Sequence, residues 1–144
     1  MKTFCEELLI KEISEISLPD NYKIDPKIRK FGDKYNINIE IYIDSGVYSN
    51  RNLFFTFLFS EEFPFVGPKI ICKNKIFHPN IFEGHVCLSI LRDEWLPSYT
   101  LETLIVSLNT IFFDFDSYDA INPEAGDLID ENFDEFVKKA KNIK

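Results

Sequence analysis

A chain of 144 residues can bury a core without disulfides or metal, and one domain spanning residues 1–144 is expected. A formal charge of -8 with no Lys/Arg cluster excludes a nucleic-acid backbone as the main partner, because such binding rests on neutralising phosphates; basic protein surfaces suit it better. The longest nearly apolar run, Leu53 to Phe59, is far short of the roughly 20 residues a membrane helix needs, and the N-terminus has acids where an export signal needs an apolar centre, so no membrane association is expected.

Apolar residues at Cys5, Leu8, Leu9, Ile13 and Ile16 form a helical stripe that Pro19 ends. Residues 20–33 have room for one edge strand. Tyr35, Ile37, Ile39, Ile41 and Ile43 alternate with polar partners, the period of a strand with one buried face. A turn at Ser49 to Asn52 leads into L-F-F-T-F-L-F, whose aromatic density on both faces suits a central strand, and Lys69 to Lys73 reads as a third. Thr100 can cap a helix through Phe112. The acidic segment Asp114 to Ile121 interrupts before Asn122-Pro123-Glu124 opens a further helix, and Asn132 with Glu135 is placed to start the last. Grouped strands with helices at the ends make an α+β fold: an N-terminal helix, an antiparallel meander sheet, a long irregular segment and C-terminal helices.

That irregular segment, Ile76 to Trp95, holds both histidines, the only tryptophan and Cys87. Cysteine is often a small buried hydrophobe, and the apolar neighbours Val86 and Leu88 fit that role. The turn residues around it are poor core material, however, and loops on a scaffold are where reactive groups sit. Cys72, His78, His85 and Cys87 could supply a zinc site, giving a zinc-binding interaction module, although no C-x2-C knuckle is present. Cys, His and Asn could also form a cysteine-hydrolase set. Cys5, Cys72 and Cys87 are odd in number and far apart, so they make no disulfide framework and fit a cytoplasmic or nuclear setting.

The run H-P-N-I-F-E-G-H-V-C-L-S-I-L-R-D-E-W-L-P, His78 to Pro97, resembles the active-site segment of ubiquitin-conjugating enzymes. The likeness extends to the first helix, F-P-F-V-G-P at Phe63 to Pro68, the helix from Thr100 and N-P-E-A at Asn122 to Ala125. Within that family, I-S-L-P at Ile16 to Pro19, D-S-G-V-Y at Asp44 to Tyr48 and the wording around Cys87 resemble the members that carry the Nedd-type modifier to cullins. Those members begin with an extra arm that docks on their activating enzyme, whereas here the first helix starts almost at Met1. Glu6 and Glu7 stand where many ubiquitin carriers have basic residues.

The resemblance implies that Cys87 accepts a ubiquitin-like modifier as a thioester from an activating enzyme and passes it to a substrate lysine. Ubiquitin itself is the alternative cargo. A variant that only binds a modifier would lose the cysteine, which is present. No cofactor or metal is implied here, since ATP is used upstream. Asn80 takes the family's oxyanion or loop-ordering role, within a structural motif completed by His78 and Pro79. Asp119 falls on the lysine-orienting acid, with Asp116 three residues earlier and Ala120 where the family often has proline; a plain solvated acidic loop is the alternative. Pro64, Phe65, Leu96 and Pro97 fall on the platform for RING-type ligases and the activating enzyme.

Overall fold

The computed structural model describes residues 1–92 and 94–143. Helix α1 (Phe4–Glu15) starts where the Thr3 hydroxyl accepts the Glu6 N–H, and buries Cys5 and Leu9. Two three-residue strands follow rather than one, β1 (Tyr22–Ile24) and β2 (Arg29–Phe31), both laid against β3 (Lys34–Ile43). The alternation in β3 is as expected: Tyr35, Ile37, Ile39, Ile41 and Ile43 are buried and the residues between them are not.

The turn after β3 lies earlier than the sequence suggests. Residues 45–50 make it, Asn50 takes a left-handed φ of 62° to close it, and Arg51 and Asn52 already belong to β4 (Arg51–Ser60). Asn is among the residues that tolerate that conformation. Strand β4 is central, between β3 and β5 (Lys69–Cys72). Its two faces are nonetheless unequal: Leu53, Phe55, Phe57 and Phe59 are buried, while Phe54 is 44% exposed. The difference follows from one-sided cover by helices, which leaves the opposite face of an antiparallel sheet to solvent.

The irregular segment contains a small hairpin, β6 (Ile81–Phe82) and β7 (His85–Val86), and β7 pairs with β5 to complete an antiparallel sheet in the order β1-β3-β4-β5-β7-β6. Glu83 (φ 50°) and Gly84 (φ 83°) form its two-residue turn, with positive φ at both positions as the twist of a tight hairpin demands. A 3-10 turn, Ser89–Leu91, follows.

Thr100 caps α2 (Leu101–Thr110), and the Glu12 carboxylate of α1 accepts the Leu101 N–H at 2.5 Å, docking one helix on the next. Leu101, Leu104, Ile105, Leu108 and Phe112 are fully buried in the core beneath the sheet. Asn122 caps α3 (Pro123–Glu131) and Asn132 caps α4 (Phe133–Asn142), both through side-chain oxygens as expected. Arg51 donates to the Ala140 carbonyl at 2.6 Å, so the negative pole of α4 is met by a cation from β4.

Candidate active site

The site grows from the turn at His78. Burial of this imidazole is complete, and both ring nitrogens are committed to backbone: Nδ1 accepts the Asn80 N–H at 2.9 Å, and Nε2 lies 2.7 Å from the Ile111 carbonyl. A backbone donor at Nδ1 and a backbone acceptor at Nε2 leave one consistent assignment, the neutral tautomer with its proton on Nε2. Burial pushes the His78 pKa down to about 4, against the Ile111 hydrogen bond, which raises it. Tyr48, Phe112 and Phe115 surround the ring at centroid distances of 5.3, 5.3 and 6.0 Å. The Tyr48 hydroxyl donates to the Phe77 carbonyl at 2.5 Å, fixing the residue before the turn.

This turn is a hub for the two segments that meet at the cysteine. The Asn80 carbonyl accepts the Cys87 N–H at 2.9 Å, and the Pro79 carbonyl accepts the N–H groups of Ile121 and Asn122 at 2.9 and 3.1 Å. One turn thereby sets the position of Cys87 and anchors the far end of the Asp114–Ile121 segment. His78 and Pro79 bond to the backbone of Ile111, Ile121 and Asn122, and the Asn80 carbonyl holds the Cys87 N–H.

Cys87 follows β7 directly and is partly exposed, whereas Cys5 and Cys72 are buried. Burial, with help from Glu61 and Glu6, pushes the Cys5 thiol up to about 11, and burial raises that of Cys72. Both are held as inert thiols, while Cys87 opens on a groove of about 230 Å³ shared with His85, Leu91, Arg92 and Ile121.

Asp119 takes a left-handed φ of 62°. Its Oδ2 is 2.5 Å from Nη1 of Arg92, and the pair is partly exposed. Asp116 has a different job, accepting the Tyr118 N–H at 2.8 Å and so closing the turn. Ala120 donates its N–H to the Ser117 carbonyl at 3.1 Å, a bond a proline at this position could not make. Arg92 was not singled out by sequence reasoning. Its partner lies 27 residues away, and the only signal was its place in the I-L-R run.

The four-ligand zinc set does not form, nor does a Cys87–His78 dyad. His78 has no free nitrogen for a metal or a thiol, and the Cys72 sulfur is turned to the Asn74 carbonyl at 3.7 Å. Among the described residues no three His, Cys, Asp or Glu side chains gather as a metal ion requires.

The two partner loops lie side by side, joined by a hydrogen bond from the Trp95 indole to the Pro64 carbonyl at 2.8 Å. Gly67 sits where a Cβ would meet Leu91 Cδ2 at 2.8 Å and the Trp95 ring at 3.0 Å, so a side chain there would separate the loops. Phe65 is 72% and Leu96 51% exposed, Pro97 is exposed and Pro64 half-buried. Asp93, within the same motif, lies outside the described residues.

A one-sided antiparallel sheet with its helices, carrying a single accessible thiol on the hairpin that extends the sheet, is the architecture of a transferase that bears its cargo as a thioester. The chain belongs to the ubiquitin-conjugating enzyme family, which it matches over residues 8–144. Such enzymes work with an activating enzyme, a ubiquitin-like modifier and substrates. The chain is 38% identical over 136 residues to the NEDD8-conjugating enzyme Ubc12 of Arabidopsis thaliana, covering 92% of this chain and 73% of the relative. It is 33% identical over 134 residues to the Nedd8-conjugating enzyme UbcE2M of Drosophila melanogaster, covering 90% and 73%. The structure of S. cerevisiae Ubc12 superimposes with a TM-score of 0.87 at 27% identity, covering 96% of this chain and 76% of that one. No helix among the described residues is long and apolar enough to cross a membrane.

Proposed function

We propose that this chain, acting as a single conjugating core, receives a NEDD8-type modifier from an activating enzyme as a thioester on Cys87 and passes it to a substrate lysine. The observation that carries the nucleophile is the contrast among the three cysteines: Cys87 alone is partly exposed and opens on a groove. The names borne by the relatives support the modifier. In charging, the Cys87 sulfur attacks the thioester carbonyl of the charged activating enzyme, a new C–S bond forms, and the activating enzyme's thiolate leaves. Thiol-to-thiol transfer of this kind needs no cofactor, because ATP is spent upstream. In discharge, a neutral lysine amine attacks the same carbonyl, the C–S bond to Cys87 breaks, the amine sheds a proton to solvent, and an amide remains.

Asn80 suits the negative charge that develops on the carbonyl oxygen, since its side chain is a neutral amide donor on a turn fixed at both backbone groups. Asp119 suits the incoming lysine, whose ordinary pKa of about 10.4 leaves few molecules neutral at pH 7. The exposed Phe65, Leu96 and Pro97, with Pro64 tied to Trp95, offer a preformed apolar platform for a RING-type ligase and the activating enzyme. Cullin lysines, in the cytoplasm or nucleus, are the substrates this reading favours.

The test is to incubate the protein with each purified activating enzyme, its modifier and ATP. A reductant-sensitive adduct with NEDD8 is expected, converted to a reductant-resistant one in Cys87→Ser and absent in Cys87→Ala. Charging of Cys87→Ala would remove the nucleophile assignment, and efficient charging with ubiquitin but not NEDD8 would overturn the modifier.

A further inference from the structure

Arg92 occupies a position that the thiol chemistry alone does not explain. It leaves the 3-10 turn after Cys87 and crosses the groove to the Asp114–Ile121 segment. There its Nη1 meets Asp119 Oδ2 at 2.5 Å, and Nη2 points to the Asp119 backbone carbonyl at 3.5 Å. Arg92 and Cys87 line the same groove, so the cation and the nucleophile share it, and the Asp119 carboxylate raises the already high pKa of Arg92. Asp119 itself stands in a left-handed conformation that a non-glycine residue adopts only where its surroundings support it.

From this juxtaposition we infer that Arg92 is a positioning residue for aminolysis: it ties the Asp119 carboxylate to the groove that Arg92 and Cys87 line, so that the carboxylate can receive the incoming lysine ammonium. The inference rests on the reading of Asp119 given above. A planar guanidinium suits this better than an ammonium would, since it can hold a side-chain and a backbone oxygen of one residue together. The lysine then donates to the Asp119 carboxylate and is oriented toward the thioester carbonyl, and its proton leaves to solvent as the C–N bond forms and the C–S bond breaks.

Single-turnover discharge of the Cys87 thioester separates the possibilities, using Arg92→Gln, Arg92→Lys, Asp119→Asn and the Arg92→Gln/Asp119→Asn double variant. Two nucleophiles are used, free lysine and hydroxylamine, the second being neutral at pH 7 and needing no carboxylate to orient it. Arg92→Gln is expected to slow lysine discharge about tenfold, the scale of a misplaced orienting group, and to leave hydroxylamine discharge unchanged. Arg92→Lys should recover part of the loss. On the Asp119→Asn background Arg92→Gln should add nothing, because the two act as one unit. Equal losses with both nucleophiles, a wild-type lysine rate in Arg92→Gln, or full additivity would each overturn the inference. If Asp119→Asn slows lysine discharge and Arg92→Gln does not, the Asp119 reading survives and only the role of Arg92 falls; if Asp119→Asn itself discharges normally, both fall.

Discussion

The His78–Asn80 turn, which holds the Cys87 backbone, is largely buried and neutral, with both His78 ring nitrogens hydrogen-bonded; the segment carrying Asp116 and Asp119 is largely exposed, acidic and held by an ion pair with Arg92. The first wall makes its bonds to backbone at Ile111, Cys87, Ile121 and Asn122, and Tyr48 holds the Phe77 carbonyl just before it, so its geometry is tied to the core. The second keeps its charged groups at the solvent, where an ion pair costs little to form and little to exchange. The difference suits a division of labour, in which the buried wall holds the Cys87 backbone and the exposed wall would, on the proposed function, meet a charged substrate.

Removing the imidazole should have the largest effect on stability. His78→Leu leaves the part-buried Asn80 N–H and Ile111 C=O without their partner, each worth about 1–3 kcal/mol, and a total loss of about 3 kcal/mol lowers Tm by about 10 °C. The pH dependence carries the same signature. Folded His78 has its pKa lowered from 6.5 to about 4, so as pH falls through that window the unfolded chain binds a proton the folded one refuses. Stability from this group is therefore complete above pH 6.5 and declines below it, by about 3 kcal/mol at most. Calorimetry between pH 6.5 and 5, above most carboxylate titrations, should show a fall in Tm that His78→Leu lacks. A parallel slope in the variant would mean that the imidazole is not the buried titrating group.

Most of the framework that carries these walls was legible in the sequence, for reasons that are local. Strand β3 declared itself by its period of two, and helices α2, α3 and α4 by caps at Thr100, Asn122 and Asn132 whose side chains make the expected bonds. The hairpin β6–β7 was not legible, since two-residue strands have no period to detect, and its Glu83-Gly84 turn places a non-glycine at positive φ. His78 could be read as a hydrogen-bonder in a turn, but its partner Ile111 lies 33 residues on. The Arg92–Asp119 pair was hidden in the same way: charge pairs between distant loops leave no pattern in the spacing of either.

A smaller loss is expected from Tyr48→Phe, which tests whether the buried wall is held from behind. The change deletes one hydroxyl and leaves the buried Phe77 carbonyl without its donor, for a cost of about 1–2 kcal/mol. Burial pushes the phenol pKa up, against the pull of Arg51, so the hydroxyl stays protonated across the accessible range. The Tm penalty should accordingly be the same at pH 6 and pH 9. Should the penalty shrink toward pH 9, the phenol is ionising and the wall is wetter than its burial implies.

The smallest change in stability, and the sharpest test of the contrast, is Asp119→Asn. Asn is chosen because it tolerates the left-handed φ of 62° that Asp119 adopts, whereas Ala would add backbone strain and confuse a chemical effect with a structural one. Losing a partly exposed ion pair should cost no more than about 0.5 kcal/mol, within the scatter of surface substitutions. Charging of Cys87 needs no amine activation and should proceed at the wild-type rate. Discharge onto free lysine should fall on the order of tenfold or more, because the substrate's ammonium has lost its acceptor. Raising the pH supplies neutral amine directly, about tenfold per unit below the lysine pKa of about 10.4, so the deficit should narrow between pH 7 and 9. Equal loss in charging and discharge, with no narrowing at high pH, would show that Asp119 only shapes the segment, and the exposed wall would then be a second scaffold rather than the chemical one.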